Sequence, residues 1–170
     1  KLEFSKYIGD AKPILHEGIM LAGVDKRRKS EMTEYEEIFL NLDRSAENEF
    51  KETKHKILVS HQGIAEFHNF AGDLQSTDLP KNFTYYAMGH LHDKDIKEFN
   101  HLKGPIAYPG STELTTSEGI KDVKKGFFEV DISGDKAIPK WIELDRRHQF
   151  SFDTDYKELT KTIDKIIEEI

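Results

Sequence analysis

Two short apolar runs, each ending in histidine, restrict what this chain can fold into. Lys56 to Gly63 reads Lys-Ile-Leu-Val-Ser-His-Gln-Gly, and Tyr85 to Asp93 reads Tyr-Tyr-Ala-Met-Gly-His-Leu-His-Asp. Ile57, Leu58 and Val59 form one continuous run and Tyr85 to Met88 the other, the pattern of strands covered on both faces. Such strands belong to α/β sheets, whose ligands bind where the strands end. His61, His90 and His92 fall just past those ends, so three imidazoles can converge on one crevice. Imidazole is the commonest metal ligand and suits manganese, iron and zinc. His90 and His92 lie two apart, which in extended chain puts them on the same side. Gly89 before them leaves room for the backbone to approach an ion. The competing reading is of ordinary loop histidines, because three imidazoles without cysteine or a carboxylate cluster leave a hard-metal site incomplete.

The flanking chain supplies the layers. Leu2 to Ile8 reads as a weak strand, and Ile14 to Val24 as extended chain punctuated by Pro13, Gly18 and Gly23. Thr33 with Glu36 makes a capping box for a helix whose Tyr35, Ile38, Phe39 and Leu42 share one face and which is expected to run toward Phe50. Pro105 to Tyr108 reads as a strand and Pro109-Gly110 as a tight turn. Gly126 to Ile132 and Ile138 to Leu144 make a hairpin across Gly134-Asp135, with Trp141 in the core, and Phe150 and Phe152 mark a further strand. Asp155 and Glu158 are spaced to cap a tail helix. Its Tyr156, Leu159, Ile163, Ile166, Ile167 and Ile170 form an apolar stripe. That stripe needs cover, either from a second copy or by folding back on its own domain. His16, His68 and His101 read as structural or exposed, Ser60 has no partners for nucleophilic work, and Asp93 reads as a solvated acid.

A chain of 170 residues can bury one sizeable core. No stretch approaches the roughly 18 apolar residues a membrane span needs, and no secretory signal is read, so an intracellular setting is expected. The absence of cysteine excludes disulfides and thiolate zinc sites. A net charge of −7 argues against simple electrostatic binding to nucleic acid. Bound metal would supply local positive charge, and two runs are local basic candidates or else solvated loops: Lys26-Arg27-Arg28-Lys29, and Lys121 with Lys124 and Lys125.

The combination of His61-Gln62-Gly63, Gly89-His90-Leu91-His92 and Tyr108-Pro109-Gly110-Ser111-Thr112-Glu113 resembles the calcineurin-like metallophosphoesterases. Within them it is most similar to the DNA double-strand-break repair nucleases of the meiotic-recombination-eleven family, SbcD in bacteria. Asp78-Leu79-Pro80 and Lys125-Gly126-Phe127-Phe128 fit the same pattern, and the similarity covers roughly residues 55 to 150. The resemblance implies an α/β fold: part of a metallophosphoesterase sandwich, a mixed sheet layered with helices, plus the start of a capping domain. Residues 1–147 would be the later part of the nuclease domain and 148–170 the beginning of the capping domain. It also implies two manganese ions, with His61 and His90 on one and His92 on the other, and Ser111 near the substrate phosphate. DNA, the SMC-like ATPase of the same repair complex (SbcC-type) and a second copy in a homodimer are the implied partners. The family's Asp-x-His and Gly-Asn-His are absent from this sequence, and Gly72-Asp73-Leu74 lies between the histidine motifs, out of chain order. The chain therefore reads as the second part of a longer enzyme, inactive by itself. A phosphatase or cyclic-nucleotide phosphodiesterase of the same superfamily, and a non-catalytic module binding DNA or the ATPase, are the alternatives.

Overall fold

The apolar runs pair with one another. In a computed structural model of the chain, residues 7–27, 31, 33–68, 72–113, 124–145 and 154–169 are described. They form β1 (Ile14–His16), β2 (Ile19–Val24), α1 (Thr33–Glu47), β3 (His55–Ser60), β4 (Tyr85–Met88), β5 (Asp95–Lys97), β6 (Ile106–Tyr108), β7 (Gly126–Asp131), β8 (Ile138–Glu143) and α2 (Leu159–Glu169). Six strands make a mixed sheet in the order β1-β2-β3-β4-β6-β5. β2, β3, β4 and β6 are parallel, and antiparallel β1 and β5 close the two edges. β7 and β8 form a separate hairpin. This is the expected α/β architecture, a mixed sheet with α1 packed on one face among the described residues.

Register decides which side chains share a face. Ala22 lies beside Leu58, Leu58 beside Tyr86, and Tyr86 beside Ile106. That row, with Met20, Met88 and Tyr108, packs in one buried cluster with Tyr35, Phe39, Leu42 and Ala46 of α1. The helix therefore buries the face its spacing marks. Ile57, Tyr85, Ala87 and Ala107 belong to a second cluster with Phe128 and Val130 of the hairpin. Cover on this side is partial, since Val59 is 38 % exposed. The expected burial on both faces holds for Leu58 and Tyr86 but not for Val59, because the hairpin packs on Tyr85 and Ala107 and leaves Val59 lining an open cleft.

The connections are pinned by polar groups. Asp43 of α1 accepts from the backbone N–H of Lys81 at 2.8 Å and of Asn82 at 2.9 Å, which sets the start of β4. Tyr86 donates its hydroxyl to the Pro80 carbonyl. Gly104 packs so closely that a Cβ there would meet the Thr84 carbonyl oxygen at 2.0 Å.

Several expectations need correction. α1 ends at Glu47, short of Phe50. The three-residue edge strand β5 was not expected; its Asp-Ile-Lys sequence carries no apolar run. Trp141 is only half-buried, with the Lys94 ammonium 3.8 Å above its ring and its indole N–H directed at the Pro109 carbonyl at 3.4 Å. The tail opens as a 3-10 turn (Tyr156–Glu158), in which the Asp155 carboxylate accepts from the N–H of Lys157 rather than of Glu158. Among the described residues no α2 side chain joins either core cluster, and Tyr156, Leu159, Ile163 and Ile167 are exposed, so this part of the stripe is not covered by its own domain. Tyr7 and Ile8 lie outside any strand, and residues 1–6, the side chain of Thr33, and Phe150 and Phe152 lie outside the described residues.

Leu58 and Leu15 separate the two environments. Leu58→Ala, at a fully buried position, is expected to destabilise the chain by about 2–5 kcal/mol. Leu15→Ala, at an exposed position, is expected to stay within about 0.5 kcal/mol. Urea unfolding of the two variants checks this.

Candidate functional site

Parallel strands in register stop together. Ser60 pairs with Met88, so the residues that follow β3 and β4 emerge side by side. The Gly89 N–H donates to the Ser60 carbonyl at 2.8 Å and carries the pairing one step beyond the strands. His61 and His90 then meet edge-on, with ring centroids 5.5 Å apart. Gly89 makes this contact possible, because a Cβ there would lie 2.6 Å from Nδ1 of His61.

His90 corrects the simple spacing argument. Its φ is +92°, so the chain from His90 to His92 is not extended and the same-side rule does not apply. A non-glycine residue in this region is uncommon. It costs of order 1–3 kcal/mol and persists where the surroundings impose it. His92 is held instead through its backbone: its carbonyl accepts from the Ser111 N–H at 3.2 Å and from the Lys125 ammonium at 3.0 Å. Gly110, with φ +82°, brings the turn against it; a Cβ there would sit 2.8 Å from the same oxygen. Ser111 thus lies beside His92, and its Oγ is buried without a hydrogen-bond partner among the described residues.

A buried polar hub fixes the loop that carries His61. Gln62 is fully buried, and its amide donates to the Asp73 carboxylate at 2.8 Å. The Tyr35 hydroxyl of α1 accepts from the Arg27 N–H at 3.0 Å and faces Gln62 Oε1 and the Asp25 carbonyl, each at 3.1 Å. From the other side the Tyr108 hydroxyl donates to the Gln62 carbonyl at 2.7 Å and accepts from the Ile64 N–H at 3.1 Å. Buried hydroxyls and amides need such partners. Here the tyrosine of the Tyr-Pro-Gly-Ser turn and the glutamine of His-Gln-Gly satisfy one another.

Electrostatics around His90 favour the neutral ring. Lys26 Nζ lies 3.3 Å from His90 Nδ1. Burial lowers the His90 pKa, and Lys26, His61 and His92 lower it further, against an opposing pull from Asp73. Below the ordinary histidine pKa of about 6.5 the unfolded chain therefore takes up this proton first. His90 thus reduces stability as pH falls from that value toward its folded pKa, and has no such effect above it. Replacing Lys26 by Met is expected to raise the His90 pKa, read from the imidazole C–H signals in an NMR titration. An unmoved midpoint would contradict the Lys26–His90 contact.

Sequence reasoning missed three residues here. Asp73 lies out of order along the chain, yet its carboxylate accepts from Gln62, the neighbour of His61, and its charge acts on His90. Lys26 was counted in a basic run but lies against His90. Lys125 was counted in a basic patch but is 7 % exposed and directed inward. Of the remaining basic candidates, Arg27 pairs with Glu34 and Lys124 with Glu143, while Arg28, Lys29 and Lys121 lie outside the described residues. A cleft of about 600 Å³ runs along the open sheet face from Tyr85, Ala107 and Phe128 to Ser60, His61 and Asp25.

The imidazole donors suit a first-row metal, but among the described residues no set of three or more histidine, aspartate or glutamate side chains is arranged to hold an ion. A two-metal centre is therefore not complete within them.

No family model matches the chain. It is 38 % identical over 131 residues to the DNA double-strand break repair protein Mre11 of Methanocaldococcus jannaschii, a match covering 74 % of this chain and 34 % of that protein. The Mre11 proteins of Sulfolobus acidocaldarius, 32 % identical over 124 residues, and Thermoplasma acidophilum, 32 % identical over 134 residues, match 70 % and 75 % of the chain. The chain belongs to the Mre11 family of metallophosphoesterases. As an Mre11-family chain it spans about a third of the length of these relatives.

Proposed function

We propose that this chain is part of a manganese-dependent DNA repair nuclease and contributes the histidine side of its two-metal centre. The observation that supports this most is the meeting of His61 and His90 at the ends of two parallel strands. In this reading His61 and His90 bind one ion, His92 the other, and Ser111 lies near the scissile phosphate. Two such ions, when bound, polarise a phosphoryl oxygen and lower the pKa of bound water toward about 7. The protein's own share is to hold the imidazoles on a rigid sheet edge, with His90 neutral and available as a donor. The activity proposed is end processing at double-strand breaks, as exonuclease on double strands and endonuclease on single strands.

Residues 1–147 are assigned to the later part of the nuclease domain and 148–170 to the start of the capping domain. The open apolar face beside Val59 is assigned to packing against the remainder of the sandwich. Among the described residues no helix is long and apolar enough to cross a membrane, and we place the protein inside the cell. DNA and the SMC-like ATPase of the repair complex are the proposed partners, with a second copy forming a homodimer.

Two measurements test this reading. The purified 170-residue chain is expected to show no manganese-dependent cleavage of DNA, because among the described residues no group of three or more histidine, aspartate or glutamate side chains is assembled to hold an ion. The full-length protein is expected to cleave DNA with manganese and to lose that activity in His61→Ala. Cleavage only of small phosphodiesters would point to a phosphodiesterase instead, and full-length protein that binds no metal would point to a non-catalytic module. For the α2 stripe, light scattering over a concentration series is expected to show self-association that weakens in Ile163→Glu/Ile167→Glu. A monomer at every concentration would contradict it.

A further inference from the structure

We propose that Lys125 is a positioning residue for His92, acting through the backbone. The proposal rests on the reading of His92 as a site residue. Lys125 directly precedes β7 and is 7 % exposed. Among the described residues its ammonium has one hydrogen-bond acceptor, the His92 carbonyl at 3.0 Å. Burying an ammonium carries a desolvation penalty that one neutral carbonyl does not repay well. An apolar side chain of similar length would fill the same space at lower cost, so packing alone does not account for a lysine here. Lys125 does not line the cleft, so it is not placed as a ligand-binding arm there.

What the ammonium does is close a clamp. The His92 carbonyl receives two donors, one of them charged, from two different elements: Ser111 N–H from the turn after β6 and Lys125 from the hairpin. Charge-assisted hydrogen bonds are shorter and stronger than neutral ones. Gly110 lies close to the same oxygen, where an added Cβ would be 2.8 Å away. The hairpin is in turn held to that turn by the Trp141 indole at the Pro109 carbonyl, and to the segment after His92 by Lys94 over the Trp141 ring. The peptide of His92 is thus fixed, in a residue that is exposed as a whole. A loop imidazole without this clamp would sample several orientations, and loss of about 1 Å in placement can reduce turnover by about 100-fold.

The test compares Lys125→Met and Lys125→Arg with His92→Ala in the full-length protein with manganese, and follows the histidine ring nitrogens of the 170-residue chain by NMR. Lys125→Met is expected to lower kcat by about 10- to 100-fold with KM little changed, and Lys125→Arg to restore much of the loss. In the chain alone, Lys125→Met is expected to shift or broaden the His92 ring signals and leave those of His61 and His90 in place. If His92→Ala abolishes hydrolysis while Lys125→Met changes neither kcat nor the His92 signals, the proposal is wrong. If His92→Ala has no effect on hydrolysis, the metal-site reading fails and the ring signals alone decide the clamp. Should Lys125→Met not fold, the unsubstituted chain still decides. A slowly exchanging Lys125 ammonium coupled to the His92 carbonyl supports the clamp, and a freely exchanging one overturns it.

Discussion

Parallel pairing in register is the constraint on which the rest of this structure depends. Strands that run the same way and stay level must stop on the same side of the sheet. β2, β3, β4 and β6 all do so. The segments that follow them, carrying Asp25 and Lys26, His61, Gly89 and His90, and Pro109 to Ser111, therefore share one edge. Nothing local to any of these segments brings them together. The apolar rows inside the sheet do, because a slip of one residue would turn Leu58 and Tyr86 away from α1. The positions of the imidazoles are thus set by hydrophobic packing some distance below them.

The edge itself is stiffened by hydrogen bonds rather than by apolar burial. Gln62 joins α1 through Tyr35, the following loop through Asp73 and the last parallel strand through Tyr108. Each of those groups would be costly to bury unpaired, so the network forms as a unit. That rigidity is what permits His90 to keep a positive φ and lets Gly89 bring its backbone within reach of the His61 ring. On the same edge Arg27 and Lys124 are paired with carboxylates and Lys125 is internal, while the Lys26 ammonium lies against His90.

Much of this was legible in the sequence where a side chain's role is decided by its neighbours along the chain. The runs Ile57–Val59 and Tyr85–Met88 read as strands, the Tyr35, Phe39 and Leu42 spacing as a helix face, and Gly134-Asp135 as a hairpin turn. The pairing of His61 with His90 followed from their places after two strands. What stayed hidden depends on contacts across the fold. β5 is three polar-flanked residues that become a strand only because β6 offers an edge. Asp73 reaches the site out of the order that chain position suggested. Lys125 looks like any surface lysine in a basic run, and only the hairpin's placement turns it inward. Trp141 is large and apolar enough to predict burial, but Lys94 covers one side of it in place of a core.

The hairpin is secured at both ends of the parallel strands it crosses. At its turn, His55 at the start of β3 lies 2.9 Å from the Gly134 carbonyl, and Lys54 pairs with Asp135. At its open end, Lys125 and Trp141 hold the His92 carbonyl and the Pro109 turn. A strap tied at two ends transmits slack from one to the other. Positions 55 and 134 lie at the opposite end of the parallel strands from the histidine edge, yet they share a mechanical element with it. Lesions at His92 and changes near the Gly134 turn are therefore expected to interact genetically, with second-site suppressors arising in a part of the protein that touches no candidate ligand.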